Sequence, residues 1–315
     1  HGHMSLMHAA RPFSQWLQDP LTPEPLKERL RLAQRIRAYA SERLDLPEGA
    51  SYHSYAALPR SVAVWNVVAA PPDSLQLRRW CYVVAGCVSY RGYYRHRGAQ
   101  TLAARLQDEE GLEVQVYGVP AYSTLGWLNW LGGDPLLSSV IHRPEGELAR
   151  LMFHELAHQK VYAAGDTAFN ESYANAVGDL GVRAWLQEQG DEAARREYDA
   201  LAVRRREFFD LVRQIRVELA RVYGAAADAL ADGELASRKT AVMDEFRQRY
   251  GALKARWADA GVAYDGYDHW VTHANNASFG LQATYDDWVP VFKAVFACVG
   301  EDWPSFHAVA RDLAG

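Results

Sequence analysis

The sequence predicts an α+β fold that is mostly helical, on three observations. Apolar residues recur at helical spacing through most of the chain from residue 145 onward. Runs of β-branched residues are concentrated in residues 61–119. The helical region begins with a segment that contains His154-Glu155-Leu156-Ala157-His158. We therefore expect a small β-sheet ahead of that segment and a long antiparallel helical hairpin after it.

The first predicted element is a helix over residues 24–45, which Pro47 and Gly49 end. Strands are expected over residues 61–69, 80–90 and 112–118, with a helix from Arg95 to Asp108 between the last two. Residues 284–298 and 303–313 read as closing helices. The small sheet region therefore covers residues 61–119.

The three cysteines do not form an obvious pair. Cys81 and Cys87 are six residues apart in what reads as one strand, and an extended strand holds them too far apart for a disulfide. A bridge between Cys87 and Cys298 stays open. Because no Cys-x-x-Cys or Cys-His cluster occurs, we expect no structural zinc site.

Two amphipathic helices over residues 191–223 and 229–249 are joined by a short connection, which predicts an antiparallel hairpin within residues 191–250. Residues 1–4 (HGHM) are typical of an expression tag. We therefore assign residues 5–315 to a single domain, with the segment 145–190 at its functional centre.

The bulk composition excludes some classes of function. The chain has 315 residues, of which 49% are hydrophobic and 23% charged, so a sizeable core is expected without the help of a metal. The net charge of −5 argues against non-specific nucleic-acid binding. No apolar run reaches the roughly 20 residues of a transmembrane helix. Oligomeric state is not encoded in any feature that we recognise.

His154 and His158 have the spacing of a metal site. Residues four apart project from the same face of a helix, so both imidazoles can bind one Zn²⁺. Glu155 lies to the side of that face, where it suits a base that deprotonates a zinc-activated water. Pro144 at the start of the segment and Gly165 beyond its end support a helix.

A third ligand is expected from the next helix, which Asp166 or Thr167 opens and which ends near Gly190. A short turn would bring Glu171 back beside the histidines, and two histidines with one glutamate form a catalytic zinc set that binds one ion per chain. Asn175, one turn after Glu171, could hydrogen-bond a ligand imidazole.

HELAH followed by NESYA resembles the gluzincin metallopeptidases. More narrowly, the chain resembles the bacterial "predicted aminopeptidase" family, through GCVSYRGYY (86–94), AYSTLGW (121–127), DPLLSS (134–139) and NNA…TYDDWVPVF (275–292). The resemblance spans roughly residues 50 to 310. It implies a zincin-like fold, aminopeptidase activity and a location in the bacterial cell envelope, since members of this family commonly carry a signal or lipoprotein N-terminus.

Residues outside the two helices are candidates for contact with a peptide substrate. The loop from Pro120 to Gly133 offers the hydroxyls of Tyr122, Ser123 and Thr124, and a strand edge near the metal would pair with the substrate backbone. An ordinary covering loop is an equal alternative. A Tyr or His remote in sequence is expected to stabilise the oxyanion. Tyr285, in the phrase ATYDDW, leads the candidates, which also include Tyr264, Tyr267, His269 and His273.

The sequence therefore predicts a zinc peptide hydrolase, most simply an aminopeptidase, with Glu155 and Tyr285 as catalytic residues. Glu113 and Asp134 are conceivable anchors for the α-amine of the substrate. Two alternatives stay open. One is a zinc endopeptidase or another zinc hydrolase, and the other is a non-catalytic envelope protein that binds zinc and a partner.

Overall fold

The computed structural model describes residues 9–58, 60, 62–82, 86–119, 133–224 and 233–315, with the backbone alone for 284–286. In this part of the chain the helices are α1 (Phe13–Gln18), α2 (Glu24–Glu42), α3 (His96–Asp108), α4 (Glu145–Ala157), α5 (Thr167–Glu188), α6 (Glu192–Val222), α7 (Glu234–Asp259), α8 (Asp268–His273), α9 (Asn276–Asp286), α10 (Val289–Cys298) and α11 (Trp303–Ala314). The prediction of a mostly helical α+β fold is confirmed.

The strands form three small sheets. They are β1 (Ala10–Pro12), β2 (Ser54–Ala56), β3 (Val64–Ala70), β4 (Trp80–Tyr82), β5 (Gly86–Val88), β6 (Arg91–Tyr93), β7 (Glu113–Val119) and β8 (Leu136–Leu137). β3 lies between β6 and β7 and is antiparallel to both. β2 lies between β1 and β8, and β4 pairs with β5.

The central strand β3 is buried on both faces, because its alternate side chains point to different helices. Val67 and Ala69 pack with α3, through residues such as Leu106. Val68 and Ala70 pack with Ala277 of α9 on the opposite face. The sheet is thus held between two helices, which explains why the segment reads as an apolar run without alternation.

The largest core joins α2, α4, α5, α10 and α11. Phe153 of α4, Trp185 of α5 and Phe306 of α11 are among its fully buried side chains. A second core joins the hairpin to α8 and α9 around Phe208 and Phe246. In each core the amphipathic helices bury their apolar faces against one another. Tertiary packing therefore stabilises these helices more than intrinsic helix propensity does.

The long antiparallel hairpin is formed by α6 and α7. Trp257 Nε1 donates a hydrogen bond to Glu207 Oε2 at 2.6 Å near the open end of the hairpin, and Arg249 lies 3.2 Å from Glu218 further along. The later residue of α6, Glu218, pairs with the earlier residue of α7, Arg249, so the two helices are antiparallel. The connection at residues 225–232 lies outside the described residues.

The assignment of residues 5–315 to one domain stays a prediction.

The prediction for residues 80–90 was wrong in two respects. The segment contains two short strands rather than one, and Cys81 lies opposite Cys87 across the antiparallel pair, with a Cα–Cα distance of 3.9 Å. The two cysteines form a disulfide, and Cys298 is free. A reversal of the chain inside an apolar run places cysteines of the same segment face to face, which an extended strand could not do.

In the described residues, no helix combines the length and the apolar character that crossing a membrane requires.

The C-terminal helix is joined to the core by a buried histidine. His307 is 1% exposed; its Nε2 donates to the carbonyl of Leu44 at 2.8 Å, and its Nδ1 accepts from the hydroxyl of Tyr173 at 2.7 Å. Both ring nitrogens are used in the neutral form. Burial lowers the pKa of His307 to about 4, although the hydrogen bond to Leu44 opposes this shift.

We expect stability to fall below neutral pH because of His307. His307 takes up a proton near pH 6.5 in the unfolded chain and near pH 4 in the folded chain. The contribution of the neutral imidazole to the free energy of unfolding is therefore fully present above pH 6.5 and is lost as pH falls toward 4. By pH 4 the loss amounts to about 3 kcal/mol. Urea unfolding between pH 7.5 and 4 would measure it. His307→Gln should make the dependence shallower, whereas the exposed His273→Gln should not; equal slopes in both variants would contradict the assignment.

Candidate metal centre

The first two site histidines lie at the C-terminal end of α4. This helix starts after Pro144, and its first turn carries Glu145 and Glu147, whose charges suit a helix N-terminus. His154 lies in the last turn and His158 is the C-cap residue. The opposite face, which includes Met152, Phe153 and Leu156, is fully buried in the core. The core therefore fixes the rotation of α4 that aims both imidazoles away from it.

Two glycines of α5 allow α4 to approach closely. A Cβ atom at Gly178 would lie 3.0 Å from the carbonyl oxygen of Arg150, and one at Gly181 would lie 2.9 Å from the ring of Phe153. Side chains at these positions would push the two helices apart. Their close antiparallel packing brings the start of α5 beside the end of α4.

The turn between α4 and α5 is fixed by side chains. The Asp166 carboxylate caps α5 by accepting from the backbone N–H of Phe169 at 2.9 Å, which confirms the predicted N-cap. The amide of Asn170 bonds both the N–H and the carbonyl of Ala163, each at 2.7 Å. Asn170 directly precedes Glu171, so these bonds set the position of the third predicted ligand.

His154, His158 and Glu171 come together as a group that could hold a metal ion. The two Nε2 atoms are 3.3 Å apart, and Glu171 Oε2 lies 3.4 Å from that of His154 and 3.7 Å from that of His158. Ligands at about 2.0–2.1 Å from a tetrahedral ion would be separated by about 3.4 Å. The triangle therefore has the size of one face of a zinc tetrahedron.

The electrostatics of the group suit a cation. Burial alone would raise the pKa of Glu171, but His158 and His154 outweigh this effect by charge and hydrogen bonding and hold it well below its usual range. Burial raises the pKa of Glu155, and the carboxylates of Glu171 and Asp134 add to the shift against the opposing histidines. Glu171 is thus a ready anionic ligand, and Glu155 has the raised proton affinity of a general base.

Asn175 occupies a different place from the one predicted. Its Oδ1 accepts from Arg150 Nη2 at 3.1 Å. The Nδ1 atoms of His154 and His158 have no hydrogen-bond partner among the described residues. The predicted bond from Asn175 to an imidazole is therefore not formed, and Asn175 instead ties α5 to α4 one turn away from the ligands.

The three ligands open onto a cleft of about 1080 Å³. The lining residues come from α4, α5, α6, α9 and α10 and from strands of the small sheets. Glu155 lies in the lining together with the ligands. The hairpin helix α6 contributes residues from Tyr198 to Arg213 to the lining, so part of the predicted hairpin does border the cleft.

The disulfide-linked strands are docked against the metal centre. Arg79 Nη2 donates to the carbonyl of Gly165 at 2.8 Å and to that of Cys87 at 3.2 Å. A Cβ atom at Gly86 would lie 2.9 Å from the backbone nitrogen of Gly165, so β5 touches the turn between α4 and α5 directly. Val88, at the end of β5, lines the cleft.

Tyr90 is a site residue that the sequence reasoning missed. It follows β5 and lines the cleft. Burial raises the pKa of Tyr90 well above its usual value, and the nearby charges of Glu171 and Glu155 add to the shift. The phenol is therefore a neutral hydrogen-bond donor. Its segment, residues 86–94, was one of the phrases in the family resemblance, which was the available signal.

The remaining candidates for contact with the substrate or the oxyanion fall into two groups. Tyr122, Ser123, Thr124 and the side chain of Tyr285 lie outside the described residues, so their roles stay predictions. Four other oxyanion candidates lie away from the described lining of the cleft, either in the core of the hairpin or on α8: Tyr264, Tyr267, His269 and His273.

Of the two suggested anchors for the α-amine, Glu113 is already engaged. It forms an ion pair with Lys239 and accepts from the backbone N–H of Asn276, which joins the sheet to α7 and α9. Asp134 is fully buried, and its backbone carbonyl accepts from the N–H of Tyr52 at 2.7 Å. Neither residue lines the described part of the cleft.

A family model described as "Putative aminopeptidase" matches residues 1–315. No curated protein matches the chain, and neither does any solved structure. The family match therefore covers the whole chain.

We expect the protein to bind about one divalent ion per chain through this triangle. With Zn²⁺ as the probe at 100 times its Kd, binding should raise the free energy of unfolding by about 2.7 kcal/mol. Metal content after dialysis and thermal unfolding with and without chelator would measure both effects. Glu171→Gln should weaken binding by more than about 100-fold, whereas Glu188→Gln at the exposed end of α5 should not. Full metal content in Glu171→Gln would exclude this ligand set.

Proposed function

Since the chain belongs to the family described as "Putative aminopeptidase", we propose that it is a zinc-dependent aminopeptidase with a zincin-like catalytic centre. The proposal rests on one observation: His154, His158 and Glu171 form a triangle of zinc dimensions, with Glu155 beside it in an open cleft. The substrate is a peptide with a free N-terminus.

His154, His158 and Glu171 would hold the zinc ion at the lining of the cleft. When bound, zinc polarises the scissile carbonyl and lowers the pKa of a water molecule toward about 7. Glu155 would accept a proton from the attacking water as a C–O bond forms to the carbonyl carbon. The same carboxyl group then delivers the proton to the leaving amine nitrogen as the C–N bond breaks. The raised pKa of Glu155 suits both the uptake of the proton and its later delivery.

Tyr90 is proposed to donate a hydrogen bond to the oxyanion that develops on the scissile carbonyl. Its place in the cleft and its neutral phenol support this role. Tyr285, which the sequence favours for the same role, stays an additional candidate.

β5 is proposed to hold the substrate backbone. Within the described residues its only strand partner is β4, so no strand pairs with its second edge, although the carbonyl of Cys87 also accepts from Arg79. Val88 and Tyr90 place the end of this edge in the cleft. An extended peptide paired there would pass the metal triangle, which is the pattern of strand addition.

Endopeptidase activity is the second candidate. The length of the cleft favours it, since the lining extends along α5 from Thr167 to Arg183, a distance of about 24 Å. Such a cleft accommodates residues on both sides of a scissile bond. Comparison of free and N-acetylated peptides separates the two activities.

We also propose a location in the bacterial cell envelope. The disulfide between Cys81 and Cys87 supports an oxidising compartment. Trypsin digestion of intact and osmotically shocked cells, followed by detection of the protein, would test this location.

Glu155→Gln should lower kcat by at least about 1000-fold, because the amide cannot accept the proton of the attacking water. Metal content should stay unchanged, since Glu155 is not a ligand. The assay would use pentapeptides with free and N-acetylated termini, with Glu197→Gln on the exposed face of α6 as the matched control. Wild-type cleavage of free-amine peptides alone establishes an aminopeptidase. Normal turnover by Glu155→Gln would refute the mechanism.

Tyr90→Phe should lower kcat about 100-fold while KM and metal content stay within about twofold, because the lost hydrogen bond forms only in the transition state. Tyr93→Phe, three residues further along and outside the described lining, serves as the control. A rise in KM at unchanged kcat would assign Tyr90 to substrate binding instead.

A further inference from the structure

We propose that the cleft contains a second subsite, remote from the metal triangle, that binds a carboxylate of the substrate. It consists of Arg183 on α5, Arg206 on α6 and the ion cluster of Arg150, Asp179 and Lys293, which all line the cleft. The inference rests on the proposed function in that the carboxylate belongs to a peptide whose scissile bond lies at the metal.

The ion cluster has one positive charge more than it has negative charges. Arg150 Nε lies 2.8 Å from one oxygen of Asp179, and Lys293 Nζ lies 2.6 Å from the other. Burial would raise the pKa of Asp179, but the two cations hold it well below its usual range, so the carboxylate stays ionised. The side chains are 22–32% exposed, and the excess charge therefore reaches the cleft.

Arg183 and Arg206 add two further charges. Arg183 lies four residues after Asp179 and therefore on the same face of α5. Both arginines are exposed, and neither forms an ion pair or hydrogen bond with the residues that the structure describes. Two other arginines of the lining, Arg205 and Arg213, are paired with Glu147 and Asp210.

The net charge of this part of the cleft lining is positive. Apart from the paired Arg205 and Arg213, the lining away from the metal triangle carries four cations (Arg150, Arg183, Arg206 and Lys293) and two carboxylates (Asp179 and Asp199), which leaves two positive charges. Guanidinium groups without partners bind carboxylates in bidentate fashion, so the excess selects an anionic group. A wall of this kind would repel a positively charged side chain.

The rise of α5 gives the distance of this subsite from the metal. Asp179 is eight residues from Glu171 and Arg183 is twelve, which correspond to about 12 Å and about 18 Å. An extended peptide advances about 3.3 Å per residue. The carboxylate therefore lies about four or five residues from the scissile bond. It is either the C-terminus of a short peptide or an acidic side chain at that distance.

The test measures binding without turnover. Zinc-loaded Glu155→Gln protein is titrated calorimetrically with penta-alanine, with penta-alanine amide, and with an amidated pentapeptide that has glutamate at its fourth position. The same peptides are titrated against Glu155→Gln with Arg183→Gln and Arg206→Gln added. The matched control adds Arg35→Gln, an exposed arginine on α2.

We expect the free acid to bind about five- to tenfold more tightly than the amide, as one charge-assisted contact at an exposed site provides. The two arginine substitutions should abolish this difference, and Arg35→Gln should keep it. Tight binding of the glutamate peptide amide would identify an acidic side chain as the ligand rather than the C-terminus. Equal affinities for all three peptides, or a difference that survives both substitutions, would overturn the subsite.

Hydrolysis by the wild-type protein bears on the proposed function alone. If no peptide is cleaved but the Glu155→Gln protein still discriminates acid from amide, the subsite stands and the peptidase falls. If peptides are cleaved without any discrimination, the peptidase stands and the subsite falls.

Discussion

The close packing of α4 against α5 is the contact on which the rest of the site depends. Hydrogen in place of a side chain at Gly178 and Gly181 lets the two backbones approach within van der Waals contact. The two histidines come from one helix and the glutamate from the other, so the metal triangle exists only at this separation. Interiors pack densely and do not deform continuously, and a bulkier residue at either glycine would displace one ligand relative to the others.

The same two helices serve several purposes because each presents different residues on different faces. On α5, Tyr173 and Trp185 belong to the core, while Glu171 and Arg183 face the cleft. The cluster of Arg150, Asp179 and Lys293 joins α4, α5 and α10 at the boundary between the two environments. A partly buried ion cluster adds little net stability, but loss of one member leaves a charge without a partner, so it enforces one arrangement of the three helices.

Local signals in the sequence predicted the local features of this protein. The spacing of His154 and His158, the cap at Asp166 and the period of the hairpin all act within a few residues, and the structure agrees with them. The zinc assignment and the roles of the site residues are still untested predictions.

Features that depend on contacts between distant segments escaped the sequence analysis. The reversal between β4 and β5 occurs within an apolar run, where periodicity gives no sign of it. Tyr90 was one tyrosine among seventeen, and its place in the site follows from the docking of the neighbouring strand β5 beside the turn that leads to Glu171. The engagement of Glu113 by Lys239 and of Asn175 by Arg150 likewise depends on packing that no local pattern encodes.

The bond between Cys81 and Cys87 closes a short loop, for which the loss of chain entropy in the unfolded state is worth only about 2 kcal/mol. Its main consequence is local. A two-stranded ribbon is barely stable by itself in water, and the crosslink holds this one extended before any ligand arrives. The entropic cost of ordering the β4–β5 ribbon is therefore incurred when the disulfide forms during folding, and not when a substrate binds. If β5 holds the substrate backbone as proposed, the thiol–disulfide balance of the surroundings acts on substrate capture, and through the contact of Gly86 with Gly165 it also acts on the turn between α4 and α5.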